Sequence, residues 1–164
     1  MAADTTPKRH FEDIEVGRPH DYGAYAVTKA EIFEFANAYD PQPHHIDEEA
    51  AKLSLVKGLC ASGWHTCAIF MRMFYDGMLV DCASMGGPAI EEVKWMRPVR
   101  PGHVLKARST CVEKRIMRSR PWVGICKMQH QMFNQDDELL MAMENAFFIR
   151  VRDTAQPASV EAAG

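Results

Sequence analysis

The segment with the densest chemical potential is Tyr39–Ala50 (YDPQPHHIDEEA). Asp40 and His45 stand five positions apart in it, separated by two prolines. In an extended or turning segment that spacing brings a carboxylate and an imidazole to one small volume. An imidazole titrating near neutrality, beside a carboxylate and around one water, is an acid–base pair. The prolines lower the entropy lost in holding that pair. The same residues also suit a plain turn, because Asp-Pro is a common turn starter.

Other groups in the neighbourhood carry blander readings. His44 is expected at the pocket wall. His44, His45 and Asp47 share a metal-ligating chemistry, but adjacent histidines on regular backbone point apart and no distant third ligand stands out, so no metal is expected. Ser62 lacks the G-x-S-x-G surroundings of a hydrolase nucleophile and reads as a helix cap. His65 reads as a core histidine with its hydrogen bonds met inside the fold. Lys94, Arg97, Arg100 and Arg118 are cations at strand ends, able to meet phosphates or to sit in solvent.

These groups need elements to position them. Thr28 and Glu31 make a capping box. Ile32, Phe35, Ala36 and Tyr39 then recur at helical spacing. Pro41 and Pro43 predict a stop near Tyr39. Asp21–Val27 alternates as a short strand before this helix. Asp40–Lys57 is the least regular ordered stretch, with a short helix over Glu48–Leu53. Trp64–Met78 is apolar almost all round apart from Arg72, which predicts a helix buried on most sides. Four strand candidates follow: Gly87–Met96, His103–Arg115, Trp122–Asn134 and Leu139–Arg152, with turns at Pro98–Gly102 and Gln135–Glu138. Helices first and strands afterwards give an α+β class with one helix lying across an antiparallel sheet.

Composition narrows the field. The 164 residues suit one domain, with 47% hydrophobic and 25% charged residues. A charge of -3, from 19 basic and 22 acidic residues, argues against nucleic acid as the partner. No apolar run approaches the ~20 residues that cross a bilayer, and residues 1–10 are too polar for a secretory signal. Five cysteines without Cys-x-x-Cys spacing favour reduced thiols and the cytoplasm over a disulfide framework. Residues 1–10 and 153–164 are expected to be disordered, leaving a domain over residues 11–152.

The order of motifs resembles the MaoC-like dehydratases, the (R)-specific enoyl-CoA hydratases. Asp40–Ala50 resembles their hydratase motif, Asp-x-Asn-Pro-x-His-x-Asp with an alanine soon after. Gly58–Thr66 resembles the glycine that opens their central helix, and Lys94–Gly102 resembles their Pro-Val-x-Pro-Gly turn. The resemblance covers about Phe11 to Arg152. It implies a single hot-dog domain, an antiparallel sheet wrapped around a long central helix. It also implies catalytic roles for Asp40 and His45, a thioester-oxygen donor in the Gly63 backbone N–H, and substrate contacts from Gln42, His44, Ser62 and Arg97. Gln42 replaces the usual asparagine and His103 a common aspartate.

The implied reaction adds water to a trans-2-enoyl-CoA, giving a (3R)-hydroxyacyl-CoA, with no cofactor. The expected partners are an acyl-CoA or acyl carrier protein thioester and a second copy of the chain, because a lone hot-dog domain leaves a sheet edge and a helix flank open. Two rivals share the fold: an acyl-CoA thioesterase and a non-catalytic acyl-CoA-binding subunit.

Overall fold

The computed structural model describes residue 7 and residues 9–154. The element order is β1 (Pro19–Ala26), α1 (Lys29–Tyr39), α2 (Pro43–Ile46), α3 (Glu48–Leu53), α4 (Gly63–Gly77), β2 (Ala89–Trp95), β3 (Val104–Met117), β4 (Arg120–Phe133) and β5 (Leu139–Arg150), with short 3-10 turns at Phe11–Asp13 and Leu79–Asp81. The strands form one antiparallel sheet in the order β1-β3-β4-β5-β2, so β1 and β2 are its edges. The α+β class and hot-dog architecture are as the sequence led us to expect.

Local signals place the helices. Thr28 accepts from the Glu31 N–H while the Glu31 carboxylate accepts from the Thr28 N–H, so the capping box starts α1. The chain leaves that helix at Asp40, whose N–H still bonds Ala36 O. Pro41 and Pro43 act differently from each other. Pro43 sits inside the first turn of α2, where a missing N–H costs nothing, so it opens a new helix rather than only closing the old one. Asp47 caps α3 by accepting from the Glu49 and Ala50 N–H groups, so its carboxylate serves a helix end.

The sheet buries its inner face against α4. Phe70 and Phe74 are almost fully buried and meet the His130 ring of β4, while Phe74 also meets Tyr22 of β1 and Phe147 of β5. Fully burying side chains of this size contributes about 1.5–3 kcal/mol each. The alternation in β3, where Leu105, Ala107, Ser109 and Cys111 point inward, follows the period of a half-buried strand.

One expectation needs correction. α4 is not buried on most sides: His65, Thr66, Ile69, Phe70, Met73 and Phe74 are buried, but Trp64, Met71 and Tyr75 are exposed. An apolar sequence shows how much surface wants cover, not what covers it. The N-terminal boundary also differs. Arg9 and His10 belong to the folded part: the Arg9 backbone pairs with Asp81 and Ala83, and its side chain donates to Met78 O. Residues 1–6, 8 and 155–164 lie outside the described residues, so the expected disorder there falls outside them too.

Candidate active site

Asp40 and His45 meet at the head of α4. Asp40 Oδ2 lies 3.6 Å from His45 Nε2, beyond hydrogen-bond length but close enough for both to hold one small molecule. Asp40 occupies the end of α1, and His45 is one turn into α2. The bend between the two helices turns their side chains toward each other. His45 is buried, while Asp40 keeps one side open to a cleft of about 490 Å³.

Each member of the pair is fixed by its own partners. Ser62 Oγ donates to Asp40 Oδ2 at 2.6 Å, and Gln42 Nε2 donates to Oδ1 at 2.7 Å. These two donors hold the Asp40 carboxyl below the usual carboxylate range, Ser62 contributing most. His45 Nδ1 lies 2.8 Å from Cys60 O. A carbonyl only accepts, so Nδ1 carries a proton, and Nε2 is the nitrogen that faces Asp40, with a lone pair in the neutral form of the ring. The Cys60 thiol, 3.8 Å from that nitrogen, is pushed up by burial and stays protonated.

Ser62 and Gly63 start the central helix. Ser62 Oγ accepts from the Trp64 N–H, as a cap does, while its proton goes to Asp40. The expected cap is therefore present, and the hydroxyl supports the carboxylate instead of offering its proton to a bound substrate. Gly63 is the first helical residue, where a backbone N–H has no acceptor within the helix. The glycine is needed for close packing: a Cβ there would lie 2.6 Å from Trp95 Cε2. The Trp95 indole N–H donates to Gly63 O at 3.1 Å, so the ring lies over the start of the helix.

The structure brings Asp40, Gln42, His45, Ser62, Gly63 and Arg97 to one cleft. Arg97 stands at its edge, 3.7 Å from Glu138. His44 is not among the lining residues. Its ring packs against that of His45 at 4.1 Å between centroids, and its pKa falls through burial and that neighbour. His65 stacks on Phe35 at 4.6 Å, but its buried Nδ1 has no hydrogen-bond partner among the described residues, unlike the satisfied histidine expected.

Two contributors escaped the sequence reading, Trp95 and the Cys60 carbonyl, and Arg100, expected to meet phosphate or solvent, has a different role. Arg100 spends its guanidinium on the carbonyls of Leu59 and Val56. Backbone acceptors leave no mark in a sequence, so nothing there could have indicated the Cys60 or Arg100 contacts. Trp95 beside the Pro-Val-Arg-Pro-Gly turn was the one visible signal.

Comparison with known proteins shows the family and the fold. The family model described as "MaoC like domain" matches residues 12–130. A crystal structure of a MaoC-like dehydratase from Rhodospirillum rubrum is 36% identical with a TM-score of 0.83, covering 89% of this chain and 99% of that one. The (R)-hydratase PhaJ1 of Pseudomonas aeruginosa shares the fold at 19% identity and a TM-score of 0.67, over 92% of this chain and 94% of its own. An uncharacterized Bacillus subtilis protein, YdeM, is 24% identical over 140 residues, 85% of this chain and 98% of that protein. The chain belongs to the MaoC-like domain family.

Proposed function

We propose that this protein is an enoyl-CoA hydratase, acting reversibly on a trans-2-enoyl-CoA to give a (3R)-hydroxyacyl-CoA. The observation that carries this reading is the 3.6 Å approach of Asp40 Oδ2 and His45 Nε2 beside the head of α4. An ionised carboxylate and an imidazole lone pair are two acceptors. One water donating to both turns its oxygen outward as a nucleophile.

The substrate's C3 is electrophilic because the thioester carbonyl withdraws charge. As the water oxygen bonds to C3, electron density moves through C2 to the thioester oxygen. The Gly63 N–H, at the positive end of α4, stabilises that oxygen. The Asp40–His45 pair takes one proton from the water and returns one to C2 from the same side. Water has then added across one face, and the pair regains its starting state. Gln42 and Ser62 hold the carboxylate, while Arg97 at the cleft edge meets the phosphates of the carrier. His44 supports the His45 ring from outside the cleft lining. No cofactor takes part in this scheme.

We also propose a homodimer. Trp64, Met71 and Tyr75 leave an apolar stripe exposed on α4, where Trp64 meets Trp95 of the edge strand β2, and Ile90 of that strand is exposed too. A second copy covers both features at once. The five unbridged cysteines fit a reducing compartment, so the cytoplasm is the proposed location. Among the described residues, no helix is long and apolar enough to cross a membrane.

Crotonyl-CoA tests the reaction. Loss of enoyl absorbance without thiol release, with (3R)-hydroxybutyryl-CoA as product, is the expected result. Thiol release would make the protein a thioesterase, and binding without turnover would make it a carrier or assembly subunit. Either outcome overturns the proposal.

A further inference from the structure

His45 is oriented by a carbonyl on a segment with few bonds of its own. Residues 54–62 link α3 to α4 without regular structure. Leu55 is fully exposed, and the backbone is left-handed at both Lys57 (φ 52) and Gly58 (φ 134). Within the connection the ties are short-range, from Lys57 N–H to Ser54 O and from Gly58 N–H to Ala51 O. The carbonyl that matters, Cys60 O, stands near its far end.

The long-range ties come from the turn between β2 and β3. Ala61 N–H donates to Val99 O at 2.8 Å. Arg100 Nη1 donates to Leu59 O at 3.3 Å, and Nη2 donates to Val56 O. One planar guanidinium thus holds both ends of the bend at Lys57–Gly58. The fit is close: a Cβ at Gly58 would lie 3.0 Å from Arg100 Nη1. Arg100 is itself held, because its N–H donates to His103 Nδ1 at 3.3 Å and its carbonyl accepts from the His103 N–H. Among the described residues, no ion pair involves Arg100, so its fork serves these two carbonyls and no carboxylate competes for it.

We propose that Arg100 is a positioning residue for His45: by clamping Val56 O and Leu59 O it fixes the adjacent Cys60 carbonyl, and that carbonyl selects the ring tautomer with the proton on Nδ1. The alternative tautomer puts the proton on Nε2, where Asp40 Oδ2 is the available acceptor. In that state the ring no longer offers a lone pair to water. Two acceptors thus compete for one ring proton, and a displaced Cys60 carbonyl hands it to Asp40. The effect on turnover rests on the function proposed above. The effect on the tautomer does not.

Full-length protein labelled with ¹⁵N-histidine provides the test, with the His45 signals assigned by comparison with His45→Gln. Wild type is expected to show Nδ1–H alone. Arg100→Met is expected to populate the Nε2–H form and to lower kcat on crotonyl-CoA about ten- to a hundredfold, with KM within about twofold. Arg100→Lys, which keeps one of the two bonds, is expected to fall between them and remains informative if Arg100→Met fails to fold. A wild-type tautomer in whichever variant folds overturns the proposal. A tautomer shift in a protein that hydrates no enoyl thioester would sink the hydratase reading and leave the Arg100 assignment standing.

Discussion

Ser62 Oγ lies 2.6 Å from Asp40 Oδ2 and also accepts the Trp64 N–H, so a single hydroxyl starts the central helix and fixes the carboxylate beside it. Helix geometry and site geometry are therefore not independent. Ser62→Ala is expected to remove the largest influence holding the Asp40 pKa down. The carboxyl then protonates at higher pH, and the acid limb of kcat/KM moves upward. The lost cap lowers stability by about 1 kcal/mol. A pH–rate profile with a denaturant titration separates the two effects, and Ser62→Thr, which retains the hydroxyl, should restore both. An acid limb that stays put in Ser62→Ala would detach this hydroxyl from the chemistry.

The pair itself is tested by near-isosteric changes. Asp40→Asn and His45→Gln keep side-chain size but remove the proton-transfer groups. Each is expected to lower kcat by about 10²–10⁴-fold, the usual contribution of a positioned acid or base. The double variant should lose little more than the worse single variant, because groups acting as one unit are not additive. Unchanged near-ultraviolet circular dichroism would show that the fold survives. Wild-type turnover in both single variants would remove the pair from the reaction.

How much of this could be read from the chain depends on the range of each interaction. The Thr28–Glu31 box, the Ser62 cap and the α3 helix were legible because the partners lie within a few residues of one another. The Asp40–His45 approach was legible for the same reason. The Arg100 clamp was not: its acceptors are backbone oxygens far away along the chain, and an arginine at a strand end suggests a phosphate or solvent contact instead. The sidedness of α4 was hidden differently. Trp64 and Met71 are as apolar as Phe70, yet only Phe70 is buried.

The contact between Gly63 and Trp95 gives a further expectation. Gly63→Ala drives a methyl into the indole, 2.6 Å from Cε2. The ring must swing off the helix start and give up its bond to Gly63 O, at a cost of about 1–3 kcal/mol. Trp95→Leu removes both the obstacle and the bond. In the double variant the two losses should therefore overlap, giving a coupling energy clearly different from zero in a thermal-denaturation cycle. Strict additivity would mean that the indole does not cover this glycine in solution.

His130 provides a prediction remote from the cleft. It is almost fully buried between Phe70 and Phe74, with Ser109 Oγ 2.6 Å from Nδ1 and Asn145 Oδ1 3.0 Å from Nε2. Asn145 Oδ1 accepts from Nε2–H, so Nδ1 accepts from Ser109, whose oxygen in turn accepts from Tyr22 OH. A neutral ring satisfies this string and a charged one breaks it. Burial accordingly lowers the His130 pKa to about 4 from 6.5. Between those values the unfolded chain binds the proton and the folded chain does not. The contribution is therefore complete above pH 6.5 and is lost as pH falls toward 4. It amounts to about 3 kcal/mol, from the free energy of one pKa unit. Denaturant titrations of wild type across that range should show the decline, and His130→Gln should be less stable at neutral pH but flatter with pH. Equal slopes in the two proteins would mean that His130 is not held neutral in the core.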